Sequence, residues 1–71
     1  MNAFKKEFYS RLKAGFSPEN THYFLELWED IGEEIENLQQ SGMTDEQIID
    51  NLGTPEDIFK EFYQDLNIQT A

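Results

Sequence analysis

The single histidine is the first candidate for chemistry in this chain. His22 follows Glu19 by three residues, the spacing that places an acid and an imidazole on one helix face in di-iron carboxylate bundles. Such sites need a second motif of this kind and two further inward-facing glutamates. One histidine cannot supply the second motif, so we expect no metal centre and a solvated His22 near a helix start. A small carboxylate bundle that binds metal is kept as an alternative.

Nucleophilic catalysis and phosphate binding are not indicated either. Ser10 and Ser41 lie more than ten residues from His22 in sequence, and Ser17 and Ser41 have structural explanations as a helix cap and a loop residue. No cysteine is present to act as a nucleophile, ligate zinc or form a disulfide. The four glycines are isolated, whereas phosphate-binding loops bring several glycines together before a helix. We therefore expect a protein that is not an enzyme and needs no cofactor.

The net charge of −10 is distributed unevenly along the chain. Residues 1–16 carry four basic side chains and one acidic one, whereas residues 17–71 carry one basic and fourteen acidic ones. A domain this acidic repels a phosphate backbone, so direct binding to nucleic acid is disfavoured. We expect the basic first segment to dock on the acidic remainder of the same fold. Docking on a partner or on an anionic membrane surface is the alternative.

The spacing of apolar residues predicts an all-α domain, because no segment shows the alternation of a strand. The prediction is a compact bundle of four helices at about residues 2–14, 18–40, 45–52 and 55–66, the third being short. Ser17 is the predicted N-cap of the second helix. Gly32 interrupts this helix, either to let another helix approach or as a tolerated imperfection. The apolar stripe of the second helix consists of Phe24, Leu27, Trp28, Ile31, Ile35 and Leu38.

The start of the third helix has a strong local signal. Thr44 is the predicted N-cap, and Gln47 completes a capping box with it. Met43, just before the cap, can pack on Ile48 as a hydrophobic staple. The preceding helices are each expected to end at a glycine; these glycines are Gly15 and Gly42.

A second set of capping residues separates the third and fourth helices. Gly53 is expected to end the third helix, Thr54 to cap the fourth, and Pro55 to occupy its first position, where the missing N–H costs nothing. The whole motif would hold these two helices at a fixed angle. Its structural residues are Gly42, Thr44, Leu52, Gly53, Thr54 and Pro55.

Aromatic residues are numerous for so polar a chain, and most lie on the predicted apolar stripes. Tyr23 and Leu25 instead fall about 100° to either side of the second-helix stripe, and Tyr9 and Tyr63 also lie off their stripes. A small domain cannot surround all of these side chains, and exposed aromatics that cluster mark a partner surface. The predicted interface residues are therefore Tyr23, Leu25 and Tyr63, although isolated surface tyrosines are ordinary.

The order of these features resembles the HAAS signalling-domain family, a helical module at the N-terminus of many uncharacterised bacterial membrane proteins. The resemblance covers residues 4–12, 18–36 and above all 42–58, which read G-x-[ST]-[DE]-E-x-I-I-x-x-L-G-x-P-E-x-I. The turn from Leu52 to Glu56, together with Gly42 and Glu46, is the diagnostic part.

The resemblance implies a cytoplasmic module for signalling or protein interaction, with no known catalysis. In that family the module usually precedes membrane segments, and its genes often lie beside those of PadR-like transcriptional regulators. A regulator or a second copy of the chain is therefore an implied partner.

Two features depart from the family pattern. No membrane segment follows Leu66, so we expect a standalone member or an excised domain, which would reach a membrane only through a missing C-terminal segment. Phe59 stands where relatives often carry a small residue that leads into a basic stretch.

The acidic surface also supports an alternative function from another class. A helix with regularly spaced carboxylates can imitate a nucleic-acid backbone and so inhibit a DNA-binding regulator. Binding of this kind should fall steeply with salt, whereas an apolar interface should be much less sensitive to salt.

Overall fold

The computed structural model describes residues 2–70, with the side chains of residues 2–65. This part of the chain contains helices and no strand, so the predicted all-α class is confirmed. A short 3-10 turn separates the first two α-helices. The elements in chain order are α1 (Ala3–Ala14), the 3-10 turn (Pro18–Asn20), α2 (Thr21–Gln40), α3 (Asp45–Leu52) and α4 (Pro55–Thr70).

The predicted four-helix bundle is only partly right. Three helices of 12 to 20 residues form the body of the domain, and α3 has only eight residues. The body is centred on α1, which packs on both α2 and α4, while α3 packs on α2. The last helix runs to Thr70, beyond its predicted end near residue 66. It contains no glycine or proline after Pro55 that would end it earlier.

The predicted start at residue 18 is the start of the 3-10 turn and not of α2. The α-helix begins at Thr21, because Asn20 leaves helical geometry with φ −103° and ψ 12°. Ser17 does not cap the preceding turn with its side chain. Its hydroxyl instead accepts a hydrogen bond of 3.1 Å from the Asn20 side chain. Thr21 donates its hydroxyl to the Pro18 carbonyl at 2.9 Å, which closes the 3-10 turn.

Of the side chains that the structure describes, six buried apolar ones from α1, α2 and α3 form the core cluster. Along the predicted α2 stripe, the central residues are buried and the marginal residues are only partly buried. The margins stay partly open because few neighbouring helices are available to cover a stripe this wide. The core residues are Phe8, Leu12, Phe24, Ile31, Ile35 and Ile48, and the marginal residues of α2 are Leu27, Trp28 and Leu38.

The end of α2 is a Schellman motif. The N–H of Gly42 donates to the Gln39 carbonyl at 3.0 Å, and the N–H of Met43 donates to the Leu38 carbonyl at 3.2 Å. Gly42 has φ +87°, and an added Cβ would meet nothing within 4 Å. Glycine is therefore needed here for the backbone conformation and not for space.

The capping box predicted at the start of α3 is present. The Thr44 hydroxyl accepts from the Gln47 N–H at 3.2 Å, and the Gln47 side chain accepts from the Thr44 N–H at 2.9 Å. Met43 packs against the core cluster that contains Ile48. The predicted staple pair thus lies within one cluster.

The connection from α3 to α4 also has the predicted form. Gly53 has φ +89° and ψ 170°, a region open mainly to glycine. The Thr54 hydroxyl then accepts from the Asp57 N–H at 3.1 Å, and Asp57 accepts from the Thr54 N–H at 3.3 Å. Pro55 follows as a fully buried residue. The chain therefore changes direction between α3 and α4 without leaving the N–H groups of Thr54 and Asp57 unpaired.

Two glycines lie close to side chains of other helices. Gly15 follows the end of α1 with an ordinary φ of −82°, and an added Cβ would overlap the Phe59 ring. At Gly32, an added Cβ would lie 3.3 Å from the Lys5 Cε atom. Because this atom lies near the end of a flexible side chain, the contact does not decide between the two explanations for the glycine within α2.

The basic first segment does dock on the acidic remainder of the fold. Lys5 on α1 reaches Glu36 on α2, with 2.6 Å between Nζ and Oε1. Arg11 donates from its Nε and Nη2 atoms to the two carboxylate oxygens of Glu56, the Nε contact being 3.1 Å. Hydrogen bonds from these cations lower the pKa of both carboxyls below the ordinary value of 4.5. The pairs therefore tie α1 to each of its two long neighbours.

Candidate interaction surface

Among the side chains of residues 2–65, the two most exposed large apolar ones lie near the start of α2. Tyr23 is 49% exposed and Leu25 is 53% exposed. They are two residues apart, about 200° of rotation on an α-helix, so they leave opposite sides of α2. Although both were predicted as interface residues, one continuous surface cannot include them both.

Tyr23 belongs to a network of aromatic rings that reaches from the surface to the core. Its ring centroid lies 5.7 Å from that of Phe62 on α4. Phe62 lies 4.9 Å from Phe16, which in turn lies 5.6 Å from the buried Phe24. We name the outer part of this network the aromatic patch; it consists of Phe16, Tyr23, Phe62 and Tyr63.

Tyr63 has an internal role within this patch. It is only partly exposed, and its hydroxyl accepts from the Ser17 N–H at 3.3 Å and from the Asn20 side chain at 3.5 Å. The hydrogen bond from Asn20 is the main cause that lowers the pKa of Tyr63 below its ordinary value. These contacts fix α4 to the turn before α2, so Tyr63 supports the patch and does not project from it as Tyr23 does.

By its spacing in the sequence, Phe62 falls on the same side of α4 as Ile58 and Phe59, a pattern that predicts core packing. It lies on the apolar stripe of α4, yet it stays partly exposed beside Tyr23. Tyr9 shows the reverse, since it lies off the α1 stripe but packs edge-on against Phe24 and Trp28 at 5.2 and 5.0 Å. The abundance of aromatics indicated that some must be exposed. Which ones are exposed depends on contacts between helices.

Metal binding gains no support from the geometry. His22 lies 3.3 Å from the Glu26 carboxylate, one turn further along α2, and both side chains are exposed. Within residues 2–65, no three side chains of the metal-binding types come together.

A small cleft is present in the described region. It lies between α1 and α3, has a volume of about 80 Å³ and is lined by both apolar and charged side chains. A water molecule occupies about 30 Å³ of liquid, whereas small-molecule sites start at about 300 Å³. The cleft therefore has room for a few waters and not for a metabolite. Its lining residues are Phe4, Glu7, Phe8, Arg11 and Ile49.

Exposed carboxylates extend along the outer side of α2. None of the six glutamate and aspartate side chains of this helix is buried. Among the described residues, Glu36 pairs with Lys5 and Glu26 with His22. The exposed acidic residues are Glu26, Glu29, Asp30, Glu33, Glu34 and Glu36.

Comparison of the chain with protein-family models, with curated proteins and with solved structures gives no match. A search of the described helices for a membrane span finds none with the necessary length and apolar character.

Proposed function

We propose that this domain is a non-enzymatic protein-interaction module that acts in bacterial signalling in the cytoplasm. The aromatic patch carries the proposal, because it exposes Tyr23 on rings that lead back to the core. An aromatic side chain backed in this way is already ordered, so little conformational freedom is lost when a partner covers it. Tyrosine is also among the residues enriched in protein interfaces.

The signalling part of the proposal rests on the resemblance to the HAAS family. The stretch from 42 to 58 that carries the resemblance has a structural use, since its caps and glycines set the direction of α3 and α4. It leaves the outer sides of α2 and α4 available for contacts. The implied partner is a protein, either a transcriptional regulator or a second copy of the chain.

Matched serine variants of Tyr23 and Leu25 test this proposal. We expect Tyr23→Ser to abolish capture of a specific protein from bacterial lysate, while Leu25→Ser, on the opposite side of α2, leaves the capture unchanged. Sedimentation equilibrium over a concentration series shows whether the partner is a second copy. Equal capture by both variants and the wild type would contradict a role for the patch.

A second candidate is an acidic inhibitor that imitates DNA. The exposed carboxylates of α2 favour it, since they line one helix at regular spacing. This candidate predicts binding to a basic DNA-binding regulator that weakens steeply with added salt and is displaced by duplex DNA. An interaction through the aromatic patch should instead be much less sensitive to salt and be lost with Tyr23→Ser.

A further inference from the structure

Apolar and acidic side chains lie together along one edge of α2. The residues follow one another at intervals of three or four, which brings side chains to the same edge of a helix. The two central residues are carboxylates, and the residues toward the ends are apolar. We name this edge the α2 ridge; it consists of Tyr23, Leu27, Asp30, Glu34 and Leu38.

The ridge is open to solvent over its length. Tyr23, Asp30 and Glu34 are exposed, and Leu27 and Leu38 are partly exposed where they leave the core. Phe62 widens its first end, because its ring lies beside that of Tyr23. The ridge thus presents an aromatic anchor at one end, an aliphatic one at the other, and two negative charges between them.

We propose that the α2 ridge binds a basic amphipathic helix of a protein partner. The partner's apolar side chains meet the two ends of the ridge, and lysines or arginines meet Asp30 and Glu34. This inference rests on the proposed function and specifies the partner for the same surface. It makes the aromatic patch one end of a longer contact.

The negative charge of the chain and the length of the α2 ridge favour a basic helix as its partner. The chain carries −10, so a basic segment is attracted to it, whereas a second copy brings repulsion of like charges. From Tyr23 to Leu38 the helix rises about 22 Å. Apolar anchors at this separation with charges between them match about four turns of a partner helix, since amphipathic helices are recognised through anchors on successive turns.

Two synthetic peptides serve as probes. The first is a helical peptide with leucines toward both ends and two lysines one turn apart at its centre. The second has glutamates in place of these lysines. Titration of labelled peptide with the full chain, followed by fluorescence anisotropy at low and high salt, measures both affinities. We expect the lysine peptide to bind at least about ten-fold more tightly than the glutamate peptide.

Charge reversal on the protein gives the decisive comparison. Asp30→Lys with Glu34→Lys should lose the lysine peptide and gain the glutamate peptide, a gain that unfolding cannot produce. The matched control is Glu29→Lys with Glu33→Lys, which has the same spacing and charge change but is rotated by about 100°. This control variant should still bind the lysine peptide more tightly than the glutamate peptide.

Several results would overturn the ridge as the binding site. They are equal effects of the two charge reversals, equal binding of the two peptides, or self-association through Tyr23. If neither peptide binds while lysate capture still depends on Tyr23, the ridge proposal fails and the proposed function stands. If capture is also independent of Tyr23, both fail.

Discussion

Gly15 and Gly42 each follow the end of a helix, yet glycine is required at the two positions for different reasons. Gly42 has a positive φ and open space around it, so only its backbone needs glycine. Gly15 has a φ that any residue adopts, but the Phe59 ring occupies the place of a side chain. The first requirement is conformational and the second is steric, and substitutions can separate them.

We expect Gly15→Ala to destabilise the domain by about 1–3 kcal/mol, as overpacking of a core does. Gly42→Ala should cost about 1–2 kcal/mol through its left-handed backbone. Thermal or urea unfolding of the single variants, repeated with Phe59→Leu, distinguishes the causes. The Phe59 change should reduce the cost at Gly15 and leave the cost at Gly42 unaltered. Equal dependence on Phe59 at both glycines would contradict the steric explanation.

The same pair of glycines shows which residue roles can be predicted from the sequence. Gly42, Thr44 and Gly53 were assigned correctly because a cap or a helix end depends on only a few neighbouring residues. Gly15 was correctly expected to end α1, but its contact with Phe59 was not predicted. That contact joins residues far apart in sequence, and no local pattern encodes it.

At the scale of elements, the start of α3 depends on its capping box. This helix has only eight residues, too few to be stable alone in water, so its cap and its packing on α2 must maintain it. We expect Thr44→Ala to cost about 1 kcal/mol in unfolding free energy, while Thr44→Ser, which keeps the hydroxyl, costs little. Chemical denaturation measures both. Equal losses for alanine and serine would show that the methyl group matters more than the hydrogen bond.

Helix boundaries could be predicted only where the controlling residues are local. Periodicity gave the all-α class, and caps and glycines gave the extents of α1 and α3. The Ser17-Pro18 signal marks the start of the 3-10 turn, three residues before α2 begins. The turn at Asn20 is held partly by Tyr63, which belongs to α4 and is remote in sequence. The end of α4 was set too early because the apolar stripe was read as ending with Leu66, a residue whose side chain lies outside those described.

At the scale of the whole molecule, the sequence indicated more aromatics than a small core can enclose, and the helix pattern identified only some of the exposed ones. Tyr23 and Leu25 are exposed as expected, whereas Tyr9 is partly buried by its ring contacts and Phe62 is more open than its stripe suggested. Periodicity gives the side of a helix but not how far a neighbouring helix covers it. The candidate surface was therefore predictable in its residue types and only partly in its membership.

Charge on the whole molecule predicts a stability that rises and then falls as the pH is lowered from 7. As the pH approaches the isoelectric point of about 4.2, the net negative charge and its self-repulsion decrease, which stabilises the fold. Loss of the ion pairs of Glu36 and Glu56 opposes this stabilisation at lower pH. The pKa of both carboxyls is lowered in the folded state, so their contribution is present above 4.5 and is lost as the pH falls through the folded values.

Melting temperatures of two double variants, measured from pH 7 to below pH 4.5, separate the effect of the ion pairs from the effect of net charge. Lys5→Gln with Arg11→Gln removes the partners of both carboxylates, whereas Lys6→Gln with Lys60→Gln makes the same change in net charge without touching those pairs. At neutral pH the first variant should melt at a lower temperature than the second. The difference should shrink below pH 4.5, because protonation of the glutamates abolishes the ion pairs in the second variant as well. A difference that is constant with pH would mean that α1 is held by apolar packing and that its charges do not stabilise the docking.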